Sequence, residues 1–430
     1  MCSRELLFQP ASERSITSTA LKSLGLVFLL VGCSEPCGDA VQGLFEAQIV
    51  VGAESSANDI VATQDGGFVL TGWTAPTANS FFSAPTDVLL VRLDANLEVE
   101  WTRSYGNRKE DEGVRVIAAG DGGFIVLGVA NGEVLQDNGP QAVQFASITK
   151  VDEAGGVMWS NIIYKGLYSS GSGLCASPDG GFVVTVAIGY SFSSSDEPGE
   201  RELLLIKFNE AGNELWRREL SDEKFTSINA VVATAGGGYV LVGSLDGDGY
   251  VVKVGADGNE IWHLTTPSRS PIGNLAGINR ARRVIQTGDG GIVLMCDERS
   301  SYDTVILKLD ERGAFLWRTK MPGSGFTVGY DLVELEDGTV VVVGVDSPNH
   351  PTIDGERCSR FYAVRLSGEG RVVWNASLGG GFPSAAQGVA LDAMGNTVLA
   401  GYKRQEDNFS TGYVLVTDAG IGMAASADQR

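Results

Sequence analysis

The 430 residues carry 53 Asp and Glu against 32 Lys and Arg, a formal net charge of −21. A field of that sign repels phosphate backbones and anionic lipid heads, which excludes nucleic-acid binding and charge-driven membrane attachment as main roles. A hydrophobic share of 43 %, only 20 % charged residues and 57 Gly describe a folded, turn-rich chain.

Residues 1–32 read as a processing segment. Arg4, Arg14 and Lys22 form a basic leader, and Leu24 to Val31 is an apolar run too short for a stable span. Leu30-Val31-Gly32-Cys33 closes the segment. That tetrapeptide resembles the lipobox of bacterial lipoproteins, which implies lipidation of the Cys33 thiol, cleavage before it and membrane attachment through acyl chains. Ser34 after the cysteine favours outer-membrane sorting in that family pattern. The alternative is an ordinary secretory signal cleaved nearby. Removing 1–32 takes away three basic and two acidic residues and leaves a net charge of about −22. Residues 33–43 form a short tether and 44–430 one continuous domain.

Export places Cys37, Cys175, Cys296 and Cys358 in an oxidising compartment. Four thiols allow three pairings. The favoured one joins Cys296 to Cys358, in adjacent repeats, with Cys175 as a buried free thiol.

From Leu44 onward the chain repeats itself at roughly 55 residues. An Asp-Gly-Gly-Phe turn or a relative of it recurs at Asp65, Asp121, Asp179, Gly236, Asp289, Asp337 and, degenerately, Met394. A second element carries Trp101, Trp159, Trp216, Trp262, Trp317 and Trp374, each nine residues after Arg92, Lys150, Lys207, Lys253, Lys308 or Arg365. Around each Gly-rich turn lie two apolar runs, expected as a hairpin with a type I′ turn. A third run and the Trp segment complete a four-stranded unit. No sustained helical periodicity appears after the leader.

Seven such units fit a β-propeller better than a sandwich or a solenoid. The Asp-Gly-Gly-Phe turn resembles that of bacterial secreted propeller repeats. The Asp-x-x-Gly-x-x-x-Trp pattern of Asp152 to Trp159 and Asp310 to Trp317 is more distantly similar to pyrroloquinoline-quinone-like propellers. The expected fold is therefore all-β: a single seven-bladed propeller of four-stranded antiparallel blades. Phe45 lies 20 residues before Asp65, the spacing of most repeat Trp to the next turn. An N-terminal strand around Phe45 is thus expected to close the last blade, with Ile421 to Ala425 as the rival.

The six repeat Trp are expected to pack between blades. The basic residue before each is expected to reach a carboxylate two residues on, such as Asp94, Asp152 or Asp310.

Binding is expected on the face formed by the second-to-third strand loops and the inter-blade connections, because these vary while the other turns are uniform. The loops are 73–86, 129–143, 189–201, 244–249, 297–302, 345–360 and 402–411. Candidate contact residues are Trp73, Phe81, Phe82, Tyr190, Phe192, Tyr302 and Asp346. Asp246-Gly247-Asp248-Gly249 has the carboxylate spacing of a Ca²⁺ loop but is one tight turn long. No other cofactor or metal is indicated.

Two His, His263 and His350, make His-rich metal sites and Ser-His or Cys-His designs hard to assemble. Nucleophile-elbow, phosphate-loop and zinc-protease motifs do not occur in the sequence. Three readings remain: a lipid-anchored binding scaffold for an envelope or extracellular protein or glycan, a polysaccharide hydrolase or lyase using loop carboxylates, and an envelope-assembly adaptor.

Overall fold

The computed structural model describes residues 45–49, 54–76, 85–106, 109–136, 139–164, 168–189, 201–220, 225–266, 275, 277–299, 301, 303–323, 325–347, 359–378, 384–404 and 410–417. Every regular element among them is a strand. β1 (Phe45–Ile49) comes first, and six meanders follow. They are β2 (Glu54–Ala62), β3 (Phe68–Ala75), β4 (Asp87–Leu93) and β5 (Val99–Tyr105); β6 (Glu112–Ala118), β7 (Phe124–Gln136), β8 (Gly139–Val151) and β9 (Val157–Ile163); and β10 (Tyr168–Ala176), β11 (Phe182–Gly189), β12 (Arg201–Phe208) and β13 (Glu214–Glu219). Next are β14 (Phe225–Ala233), β15 (Tyr239–Leu245), β16 (Asp248–Val254) and β17 (Glu260–Thr266); then β18 (Ile278–Gln286), β19 (Ile292–Glu298), β20 (Thr304–Leu309) and β21 (Phe315–Lys320). The sixth is β22 (Phe326–Glu334), β23 (Val340–Ser347), β24 (Arg360–Leu366) and β25 (Val372–Leu378).

The last group, β26 (Ser384–Leu391), β27 (Thr397–Arg404) and β28 (Ser410–Thr417), takes β1 as its fourth strand. β1 runs antiparallel to β28 from Phe45↔Val416 to Ile49↔Gly412. The second and third meanders share one sheet through a single parallel pair, Tyr168↔Gln144. The others are separate four-stranded antiparallel sheets.

Sequence pattern explains the order of strands within each meander. The middle strands are nearly continuous β-branched and aliphatic runs, as in Val340-Val341-Val342-Val343, and are buried on both faces. The fourth strand alternates, and β9 exposes Met158 while covering Trp159 by half. Burial on both faces requires a neighbour on each side. Seven apolar layers supply it, each shared by two consecutive meanders, and one of them joins Leu70 and Val91 of the first to Val398 and Val414 of the last. The first strands β2, β6, β10, β14, β18, β22 and β26 touch one another in that cyclic order.

The Gly-rich turns differ from the expected type I′ form. Thr63 N–H donates to Gly67 O and Gly66 N–H to Thr63 O, and Gly66 alone takes positive φ, at 86°. Asp65 keeps an ordinary φ because its carboxylate is needed at the turn's base, where it accepts from Thr63 Oγ1 at 2.6 Å. A turn with two successive positive-φ residues and a non-Gly first member occurs instead at Asp246-Gly247, between β15 and β16. The stretch 129–143, expected as a loop, is mostly strand, since β7 and β8 run on as a long hairpin.

The basic residues also point elsewhere than expected. Lys308 Nζ reaches Asp289 of the first turn at 2.6 Å, and Arg92, Lys150, Lys207 and Arg365 reach Asp65, Asp121, Asp179 and Asp337 in the same way. Asp152 and Asp310 are occupied within their own turns, each accepting two backbone N–H groups at 2.7–3.0 Å. The fourth meander has Gly236 in place of the Asp, and Lys253 Nζ there donates to Glu311 O at 3.5 Å.

Candidate functional site

The seven first strands carry a β-bulge at one common place, six residues before the Gly-rich turn position. The residues just past the bulge are Asp59, Arg115, Gly173, Ala230, Arg283, Asp331 and Gly388. Two acids and two bases therefore share a position that needs no charge in the other three meanders.

These charges pair between neighbouring meanders. Arg115 Nη1 stands 3.7 Å from Asp59, and Arg283 Nε stands 3.7 Å from Asp331. Asp59 Oδ2 accepts the N–H of Val116 at 2.8 Å, and Asp331 Oδ2 accepts that of Val389 at 3.1 Å, so each acid caps the bulged strand of the next meander. Burial pushes both carboxyls well above the usual carboxylate range, with Arg115 pulling each back down. Asp331 also raises Asp59, although a meander lies between them. Gly388 makes that approach possible, since a Cβ there would come within 3.1 Å of Asp59 Cα.

Closer to the variable connections, β18 holds a second group. Asp297, only 1 % exposed, accepts Arg280 Nε and Nη2 on Oδ2 at 2.8 and 2.6 Å, and Arg282 Nε on Oδ1 at 2.6 Å. Arg282 is the bulge residue itself. Sequence reading assigned a role to none of these residues and placed Asp297 only as the first residue of the 297–302 loop. Aligning the repeats on the Gly-rich turn would have exposed the position of Asp59 and Arg283.

Of the expected contact residues, Trp73 lies in β3, half-buried, opposite Ser56 and Val88. Asp346 is 2 % exposed and accepts Ser377 Oγ at 2.9 Å, because β23 continues to Ser347 and keeps it inside the ladder. It is therefore not a surface contact. Phe81, Phe82, Tyr190, Phe192, Tyr302 and Cys33 lie outside the described residues. Cys296 is a buried free thiol, and its expected partner Cys358 also lies outside them. Cys175 is free and half-buried, its pKa pushed up to about 12 by burial. Asp248 pairs with Leu245 in the ladder, and among the described residues no three His, Cys, Asp or Glu side chains gather as a metal site would require.

The repeat Trp sit against the next meander's last turn. Trp101 Nε1 donates to Glu153 O at 3.2 Å, and Trp317 Nε1 donates to Gly368 O at 2.8 Å. Gly155, at φ 80°, admits the Trp101 ring, where a Cβ would come within 3.0 Å of it. Trp374 differs: its Nε1 is buried without a partner among the described residues. Its neighbour is the meander in which β28 and β1 are not joined by a turn.

Residues 248–406 match a family model described as "Outer membrane protein assembly factor BamB". That stretch is thus similar to PQQ-like β-propeller repeats. The chain is also 28 % identical over 218 residues to the outer membrane protein assembly factor BamB of Nitrosomonas eutropha, covering 48 % of this chain and 47 % of that protein. It thus spans about half the length of the curated relative it matches. Among solved structures it resembles a puromycin hydrolase, with TM-score 0.50 and 14 % identity over 81 % of this chain and 50 % of that one. At that identity the likeness concerns fold alone. A protein of unknown function from Dyadobacter fermentans aligns with TM-score 0.49 and 12 % identity, over 89 % of this chain and all of the other.

Proposed function

We propose that the chain is a single closed seven-bladed β-propeller of the bacterial cell envelope that binds a protein partner during outer-membrane protein assembly. The match of residues 248–406 to an assembly-factor family carries this reading. The seven shared apolar layers support the closed ring, and the pairing of β1 with β28 supports its closure by the N-terminal strand. Lipidation at Cys33 would hold the domain on the outer membrane, a part of the proposal that rests on the leader sequence.

The two ends of the ring differ in a way that supports one binding face. At one end the described turns are closed by paired backbone bonds around a positive-φ residue, Gly in nearly all, most of them with an Asp carboxylate as well, and neighbouring turns receive the repeat Trp. That end is committed to holding the scaffold. The other end carries the connections that change from repeat to repeat, and the Arg280–Asp297–Arg282 group faces that end of β18. Function in repeat scaffolds rides on such variable segments.

A photo-cross-linking residue at Pro76, exposed at the end of β3, tests the face in intact cells against one at Glu210 in the β12–β13 turn. The reading expects an adduct with an outer-membrane assembly protein from Pro76 and none from Glu210. Adducts from Glu210 alone would reverse the face, and an absence of adducts from the whole variable end would sink the binding role.

A further inference from the structure

β18 departs from the other first strands at the register nearest the variable connections. Elsewhere that cross-strand pair is Ser56 with Trp73, Glu112 with Val129, Ser170 with Ala187, Ser227 with Ser244, Val328 with Val345 or Ala385 with Tyr402, and only in the fifth meander are both members charged, Arg280 with Asp297. The ladder does not need an ion pair there. Yet a buried acid and two arginines are present, and taking such charges out of water costs desolvation that a well-packed apolar pair would avoid.

The donors are arranged for use. Asp297 holds each guanidinium by its inner edge, so the rotamers are fixed. Among the described residues Arg280 Nη1 and both Arg282 Nη groups have no acceptor, and the two side chains are 43 % and 28 % exposed. One carboxylate faces two guanidinium groups, leaving a local positive excess on a chain of net charge −21. Fixed, outward guanidinium forks match carboxylate geometry and need little ordering on binding. The overall negative field opposes extended polyanionic surfaces such as lipid or nucleic acid, and favours a short anionic segment that touches one blade.

We infer that the Arg280–Asp297–Arg282 clamp is a recognition site for an acidic peptide segment of a partner protein. The inference rests on the reading of this end of the ring as the partner-binding face. Its probe is a fluorescent decapeptide of alternating Glu and Ser, titrated into the full domain at low salt, with the Gln-Ser decapeptide, inorganic phosphate and phosphatidylglycerol vesicles as comparisons. The wild type should bind the acidic peptide, with affinity falling as salt rises, and should not bind the neutral one.

The variant Arg280→Gln/Arg282→Gln/Asp297→Asn removes the clamp without leaving a buried charge unpaired, and should lose tenfold or more in affinity with its melting curve retained. Arg280→Lys/Arg282→Lys should lose part of that, because a lysine cannot offer the fork. Equal peptide binding by wild type and triple variant overturns the site. Phosphate or vesicle binding in place of peptide binding overturns the ligand class. No peptide binding alongside intact cross-linking from Pro76 overturns this inference alone, whereas loss of both overturns the binding face.

Discussion

Asp59 and Arg115 belong to neighbouring meanders and stand 3.7 Å apart at the same position of the repeat. The acid is buried, and desolvation outweighs the pull of the arginine, so its protonated form is favoured in the fold. A folded-state pKa raised above the unfolded value means that the native state binds the proton more tightly. Stability therefore rises as pH falls from neutrality toward the ordinary carboxylate range, and is lost in the opposite direction. Asp59→Asn keeps an acceptor for Val116 N–H and removes the buried charge. Its melting temperature should exceed that of the wild type at pH 8 and equal it at pH 4. A variant less stable at pH 8 would mean that the ion pair, not burial, governs this site.

Asp289 behaves in the opposite sense. Lys308, 5 % exposed, holds its carboxyl down at about 2, with Thr287 Oγ1 contributing. A depressed carboxylate contributes stability above its unfolded pKa, and that contribution disappears as pH falls through the folded value. Asp289→Ala takes the acceptor from a buried ammonium, and because the carboxylate is 61 % exposed and screened by solvent the cost near neutrality should be about 1 kcal/mol or less. Chemical denaturation across pH should find that gap shrinking below about pH 4 and closed near pH 2. A gap independent of pH would assign the loss to the turn's shape.

Gly370 and Gly395 share a backbone conformation, at φ 78° and 82°, but not an environment. A Cβ at Gly370 would lie 2.5 Å from the Trp317 ring, while one at Gly395 would meet nothing within 4 Å. Both Ala variants incur the left-handed penalty of about 1–2 kcal/mol. Gly370→Ala should lose several degrees more in Tm, because it also drives the Trp317 indole from Gly368. Equal losses would show that the indole does not staple adjacent meanders.

Much of this architecture was readable from the chain. The turn phase and the Trp phase count the meanders, and the 20-residue step from Phe45 to Asp65 points to the strand that pairs with β28. Contacts that cross the ladder were not readable. Lys150 lies opposite Ile125, not beside Asp152, so linear proximity pointed to the wrong carboxylate. Asp346 looked like a loop residue because nothing local marks the end of β23. The Asp59, Arg115, Arg283 and Asp331 set needed the repeats to be superposed position by position, and the Asp297 clamp needed the register of β18 against β19. Both are long-range facts that composition and period do not encode.

The account depends most on the ring being closed between its last and first meanders, since only then do all the variable connections share one end. Ala47 and Val414 are direct register partners in β1 and β28. In Ala47→Cys/Val414→Cys protein, mass spectrometry of the non-reduced digest should find the two segments joined by a disulfide, with a raised melting temperature that reduction reverses. Both thiols free and freely alkylated in the folded protein, with an unchanged melting curve, would contradict the closure and with it the single binding face.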